Sequence, residues 1–245
     1  MHPLAMNFRR FVDDPSFVCV GAKAALAKGR MHVIIAKDLL SSCDDYRIYS
    51  GLCEIVRDYR ADREMFQSFV VIFEQPAHMS EESFERALWV RAQSLSDKDA
   101  SNGQAYDDRV SMQPDNPHFA LSFAEEGFFI VGLHPGASRE SRRFERPTLV
   151  FNLHDQFERL RSDGDYEKMR AVILNRDKKL TGSVNPMLAR HGETSEARQY
   201  SGRLVGQDWK CPFDPLERSS HEPKANSATV RRGVPSLTRR DTDRH

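Results

Sequence analysis

The chain reads as an α+β protein. A single domain carries a mixed, partly antiparallel sheet flanked by helices, and a disordered C-terminal tail follows it. Three observations predict this. Short β-branched and aromatic runs at 31–36, 69–73 and 148–151 are interspersed with longer stretches of helical periodicity. Two apolar runs, 119–123 and 128–133, are separated only by Ala124–Gly127, a hairpin signal that makes at least one strand pair antiparallel. Beyond Phe213 large apolar residues become scarce, so 214–245 lacks the means to bury a core. The expected division is a domain over 1–213 and a tail over 214–245.

In chain order, a short helix is expected around Phe8–Phe11, stopped by the turn at Asp13-Asp14-Pro15. Val20–Lys28 is rich in small residues that allow close packing, and Gly29 is its C-terminal stop. Met31–Ala36 is a strand. Ile48, Leu52, Ile55 and Tyr59 recur at helical spacing, which predicts a helix over Asp44–Tyr59 with one inward stripe. Phe69–Phe73 is a buried strand. Ser80 then caps a helix whose inward face is Phe84, Leu88, Ala92 and Leu95, with Glu81 and Glu82 placed where the helix dipole favours anions. Ser96–Asn116 reads as a polar surface loop. After the hairpin and the strand Thr148–Phe151, Asn152 is the expected N-cap of a helix running to about Arg161. Asp165–Asp177 is a further amphipathic helix through Tyr166, Met169 and Ile173. The segment 179–213 is dense in Gly, Pro, Ser and polar groups. With Trp209 and Phe213 near its end, it is expected to order against the core.

Length and charge limit the function classes. The 245 residues carry 36 basic and 36 acidic side chains, so the basic excess of a dedicated nucleic-acid binder is missing. No apolar run approaches the length needed to span a bilayer, and the N-terminus has no apolar signal core. Cys19, Cys43, Cys53 and Cys211 have no CxxC spacing and read as free thiols of a reducing cytoplasm. Dinucleotide, P-loop, zinc and nucleophile-elbow motifs are all lacking.

The stretch 133–161, LHPGASRESRRFERPTLVFNLHDQFERLR, carries the most chemistry. His134 and His154 lie at its two expected element boundaries, with Arg139, Arg142, Arg143 and Arg146 between them. Neutral imidazoles suit a metal or cofactor, and guanidinium forks suit an acidic ligand. A helix start also disfavours imidazolium, which keeps His154 available as a ligand. Further along, Glu193, Glu196, Arg198, Gln199 and Tyr200 are expected to line a pocket.

Several blocks of this sequence resemble the YqcI/YcgG family: FVCVGAKAA (17–25), GLHPGASRESRRF (132–144), VFNLHDQFERLR (150–161), NPML (185–188), SEARQYSGR (195–203) and WKCPF (209–213). The likeness is colinear from about Phe8 to Phe213. It departs at Val18 and Leu153, where Pro is expected, and at His191, where an aromatic is usual. No departure removes a candidate ligand. Members of this family include haem-dependent N-hydroxylases acting on guanidino compounds, of the guanitoxin and D-cycloserine pathways.

The resemblance implies a cytoplasmic monooxygenase that binds haem b. It would hydroxylate a nitrogen of a guanidino or amine substrate with dioxygen, drawing electrons from a donor protein. Neither nucleic acid nor membrane is implied as a partner. Haem needs an axial ligand and cations for its propionates. His154 is the first axial candidate and His134 the second, with Cys211 and Cys19 left open. Arg139, Arg142, Arg143 and Tyr200 are the expected cofactor contacts. Glu193, Glu196 and Asp155 are the expected carboxylates for a guanidinium, with His134 completing the catalytic set. A non-catalytic haem sensor or store, and a cofactor-free hydrolase or transferase using the histidines as acid and base, are the rival readings.

Overall fold

The computed structural model describes residues 1–63, 66–187 and 192–216. The expectations for Leu188 and His191, and for the tail from 217 on, lie outside the described residues. The protein is an α+β domain built on one five-stranded sheet, with strands β1 (Met31–Asp38), β2 (Ser68–Gln75), β3 (Leu121–Phe123), β4 (Glu126–Leu133) and β5 (Thr148–Leu153) in the order β1-β2-β5-β4-β3. Only β1 and β2 are parallel, and the helix α3 (Asp45–Ala61) supplies the crossover that a parallel pair requires. The other neighbours are antiparallel. The remaining helices are α1 (Pro3–Asp13), α2 (Val20–Ala27), α4 (Glu81–Ser101), α5 (His154–Ser162), α6 (Tyr166–Thr181) and α7 (Ala197–Tyr200).

Strand alternation divides the core in two. Phe69, Val71, Phe73, Phe128, Ile130, Leu149 and Phe151 face α3 and α4, whose inward stripes are those the periodicity predicts. Val70, Ile72, Leu133 and Val150 face the other way, toward α1 and α2. Both faces are buried, so the central strands read as continuous apolar runs.

Four local expectations are corrected. Helix α4 does not end near Leu95 but runs to Ser101, because Ser96, Asp99 and Ala100 are buried instead of forming a surface loop. Asp99 Oδ1 accepts the Ala124 N–H at 2.8 Å and the Tyr49 hydroxyl at 3.1 Å, so a polar residue anchors the hairpin from inside. The hairpin turn is only Ala124-Glu125, both with positive φ (49° and 63°), as a two-residue turn matching the strand twist needs. Asn152 is not an N-cap. It stays in β5 and accepts the Ser68 hydroxyl at 2.7 Å, while α5 starts without a side-chain cap. Helix α1 is also longer than expected, with His2 capping it and Pro3 in its first turn. No helix among the described residues is long and apolar enough to cross a membrane.

Candidate functional site

The second face of the sheet is not fully packed. Between it and α1, α2, α5 and α6 lies a cavity of about 240 Å³, below the ~300–1,000 Å³ typical of small-molecule sites. Phe129, Val131, Leu133 and Val150 form its floor, and Phe17, Phe157 and Met169 stand among its walls. The apolar stripe of α6 explains the space. Tyr166, Met169, Ile173 and Leu174 line the cavity and stay half-buried, and Asp177 is the helix's one fully buried residue.

Polar groups on this wall are few. Cys19 is the N-cap of α2, and its Sγ accepts the Ala22 N–H at 3.4 Å. Burial pushes the free thiol up from its ordinary range. Arg142, 9 % exposed, donates to the carbonyls of Gly132 (3.0 Å), Gln199 (3.1 Å) and Tyr200 (3.4 Å). Among the described residues no carboxylate pairs with it, and burial lowers its pKa to about 10. Gly132 and Gly202 permit this packing. A Cβ on Gly132 would stand 2.9 Å from the Tyr200 carbonyl, and one on Gly202 (φ +82°) would stand 3.2 Å from Arg142 Cγ. Asp177 also faces the cavity but is occupied by Arg139 (2.5 Å), Ser141 (3.0 Å) and the Asn185 N–H (3.1 Å). Glu196, Arg161 and Arg170 complete the charged set, all three half-buried.

The signature of the YqcI/YcgG family matches residues 8–214. The chain belongs to the YqcI/YcgG family. Comparison with curated proteins and with solved structures returned no match. In this YqcI/YcgG chain, blocks far apart in sequence meet at the cavity. Cys19 comes from 17–25, Arg142 from 132–144, Phe157 from 150–161, Asn185 from 185–188 and Glu196 from 195–203. The block 209–213 contributes no lining residue; Cys211 packs beside the larger core cluster instead, where burial pushes its thiol to about 12.

The histidines stand elsewhere. His134 follows β4 and is buried, stacked on Phe84 of α4 with ring centroids 4.4 Å apart, on the face opposite the cavity. His154 begins α5 beside Gly127, at the far end of the same strands. Six or seven residues of strand separate the two positions, roughly 20 Å at ~3.3 Å per residue, so the pair cannot flank one iron. Neither lines the cavity.

Among the other expected residues the structure is selective. Arg142 and Glu196 line the cavity, whereas Arg139 is bound to Asp177. Exposed Arg143 donates to the carbonyls of Ala137 and Ser138. Tyr200 is wholly buried; its hydroxyl donates to the Phe128 carbonyl at 3.1 Å and its ring stacks on Trp89. Glu193 is exposed and off the wall. Asp155 accepts from the Tyr59 hydroxyl (2.5 Å) and Arg109 (3.2 Å), inside a network that also holds Asp107 and Glu126. Arg161 and Arg170 were not singled out in the sequence. Their signal is helical spacing, four residues after the lining aromatics Phe157 and Tyr166.

Burial also gives His134 a titration consequence. Its pKa lies below the ordinary 6.5 because desolvation disfavours the imidazolium, with Glu81 opposing weakly. As pH falls through 6.5 the unfolded chain takes up a proton that the folded chain resists, so stability rises with pH in that window. The loss is complete once pH is below the depressed folded value. Thermal melts in mildly acidic and neutral buffer should therefore differ more for wild type than for His134→Leu. An equal difference in both proteins would assign the acid sensitivity to other groups.

Proposed function

We propose that the cavity holds haem b and that the chain N-hydroxylates a guanidino or amine compound. The observation that carries this reading is the convergence of the family's dispersed blocks on one apolar cavity. The residue types on the wall suit the group, although the cavity of about 240 Å³ is smaller than the whole macrocycle and has to widen to admit it. An apolar macrocycle is favoured by walls of Phe, Val, Met and Ile, and its acidic side chains by the guanidinium groups of Arg170 and of Arg161, the latter already paired with Glu158. Cys19 is the one axial candidate of the original four that lines the space. Its free thiol, like the other three, accords with a reducing cytoplasmic setting.

When bound, haem supplies activation of dioxygen. The balance is one guanidine N–H, one dioxygen, two electrons and two protons, giving an N-hydroxyguanidine and water. The electrons come from a separate donor protein. The chain's own residues bind and orient. Glu196 provides the negative charge that a permanently cationic guanidinium requires in a partly dry site. The apolar walls exclude bulk water around it, which strengthens that attraction.

The test is turnover of arginine and related guanidines by haem-loaded protein with a reductase system under isotopically labelled dioxygen. The expected product carries one labelled oxygen on nitrogen. Haem retention without labelled product from any guanidine or amine would instead describe a haem-binding protein without turnover.

A further inference from the structure

We propose that α6 is a hinged cover over the cavity, held shut by a polar lock at Asp177, and that it detaches as a unit to admit a ligand larger than the closed space. Only the identity of that ligand rests on the haem reading above. Three features of the helix point to a cover.

The first is packing. Tyr166, Met169, Arg170, Ile173, Leu174 and Asp177 line the cavity along the length of α6. Met169, Ile173 and Leu174 remain half-buried, and among the described residues none from α6 joins either hydrophobic core cluster. The floor residues Phe129 and Val131 are half-buried too. The stripe therefore borders open space on its inner side. A helix of 16 residues is marginal in water, so weak tertiary support leaves it easy to release.

The second feature is the lock. The buried Asp177 carboxylate accepts from Arg139 (2.5 Å), Ser141 (3.0 Å) and the Asn185 N–H (3.1 Å), and the same Arg139 donates to the Thr181 hydroxyl at 2.7 Å. This charge-assisted fastening lies within the last two turns of α6. A longer bond, from Arg176 to the Phe17 carbonyl at 3.5 Å, ties the helix to the segment before α2. At the other end Arg161 of α5 lies over the Tyr166 ring, 5.1 Å from its centroid.

The third feature is the pair of connections. Gly164 (φ +76°) precedes α6 and Gly182 (φ +77°) follows it, and a Cβ at either would meet no atom within 4 Å. These glycines serve backbone conformation and not close packing. The turn 162–165 and the residues 182–184 are exposed, so both ends can swing without opening the core.

Native-state hydrogen exchange of the full chain, read segment by segment in rising sub-denaturing guanidinium, tests the cover. Detachment removes the tertiary support of α6 and frees its amides. In wild type these should exchange together, roughly tenfold or more faster than those of α3 and α4, and with a weaker dependence on denaturant. Asp177→Asn keeps the shape of the lock and removes its charge. It should speed exchange of α6 on the order of tenfold and leave α3 and α4 little changed. Added haem, its binding read from the Soret band, should slow α6 in particular. Amides of α6 that exchange only with the global transition overturn the cover, as does an equal acceleration of α3, α4 and α6 in Asp177→Asn. Haem that binds and leaves the exchange of α6 unchanged overturns it as well, with the haem reading left standing. Unit-wise exchange of α6 in a protein that binds no haem supports the cover and overturns the haem reading instead.

Discussion

Arg91→Met should destabilise the fold by roughly 3–5 kcal/mol, the range for stripping one partner from a buried ion pair. For a domain of this size that corresponds to a melting temperature lower by roughly 6–20 °C. Arg91 of α4 and Asp45 of α3 are 1 % and 0 % exposed and form a direct ion pair. Arg91 also donates to the Leu39 carbonyl at 3.0 Å, which ties the segment after β1 to the same point. Without the guanidinium, Asp45 keeps the Ser94 hydroxyl at 2.5 Å and Lys98 at 3.7 Å, so the lower half of the range is expected. The cost comes from the stranded carboxylate. Arg91→Met combined with Asp45→Leu should therefore recover much of it, because a buried pair is often matched by apolar residues of similar volume. A double variant as unstable as the sum of the single changes would show that Arg91 and Asp45 are not coupled, and that the cost of Arg91→Met does not come from the stranded carboxylate.

Glu196→Gln should weaken guanidine binding on the order of a hundredfold, because removing one side of a desolvated charge pair costs roughly 2–5 kcal/mol. The shape is kept and only the countercharge is lost. Glu193→Gln should change affinity little, since Glu193 is exposed and off the wall. A guanidine titration followed by the haem absorption band measures both variants, and their haem content should match wild type. Equal affinity in Glu196→Gln and wild type would place the guanidinium against another carboxylate.

Much of the fold was legible because each core strand and helix carries its own apolar period. Met31–Asp38, Ser68–Gln75 and the hairpin over 121–133 need no tertiary information to be recognised. The errors fall where a polar residue finds a distant partner. Ser96–Ser101 looks like loop until Asp99 is seen to bind the Ala124 N–H and Tyr49. Asn152 has the chemistry of a cap, yet Ser68, 84 residues away, holds it in a strand.

The candidate site shows the same division. Residue types pointed to the segment 133–161, and several of its members, Arg142, Phe157 and Arg161 among them, do line the cavity. Which face each residue takes depends on strand register, however. Pairing of Phe128 with Leu153 and of Leu133 with Thr148 sends the two histidines to opposite ends of the sheet. A stretch of sequence cannot display that pairing. Cys19 was visible as a thiol before a run of small residues, but its place on a cavity wall is fixed by elements more than a hundred residues later, α5 and α6.

The most direct test of the account is an absorption titration of the purified chain with haem, run in parallel on Val131→Trp. Val131 is a half-buried residue of the cavity floor, and indole at that position fills the space the macrocycle needs. Wild type should develop a sharp, saturating Soret band at a single haem per chain, while the folded Val131→Trp protein should leave the spectrum that of free haem. A free-haem spectrum with wild type, or identical saturation in both proteins, would contradict haem binding in this cavity.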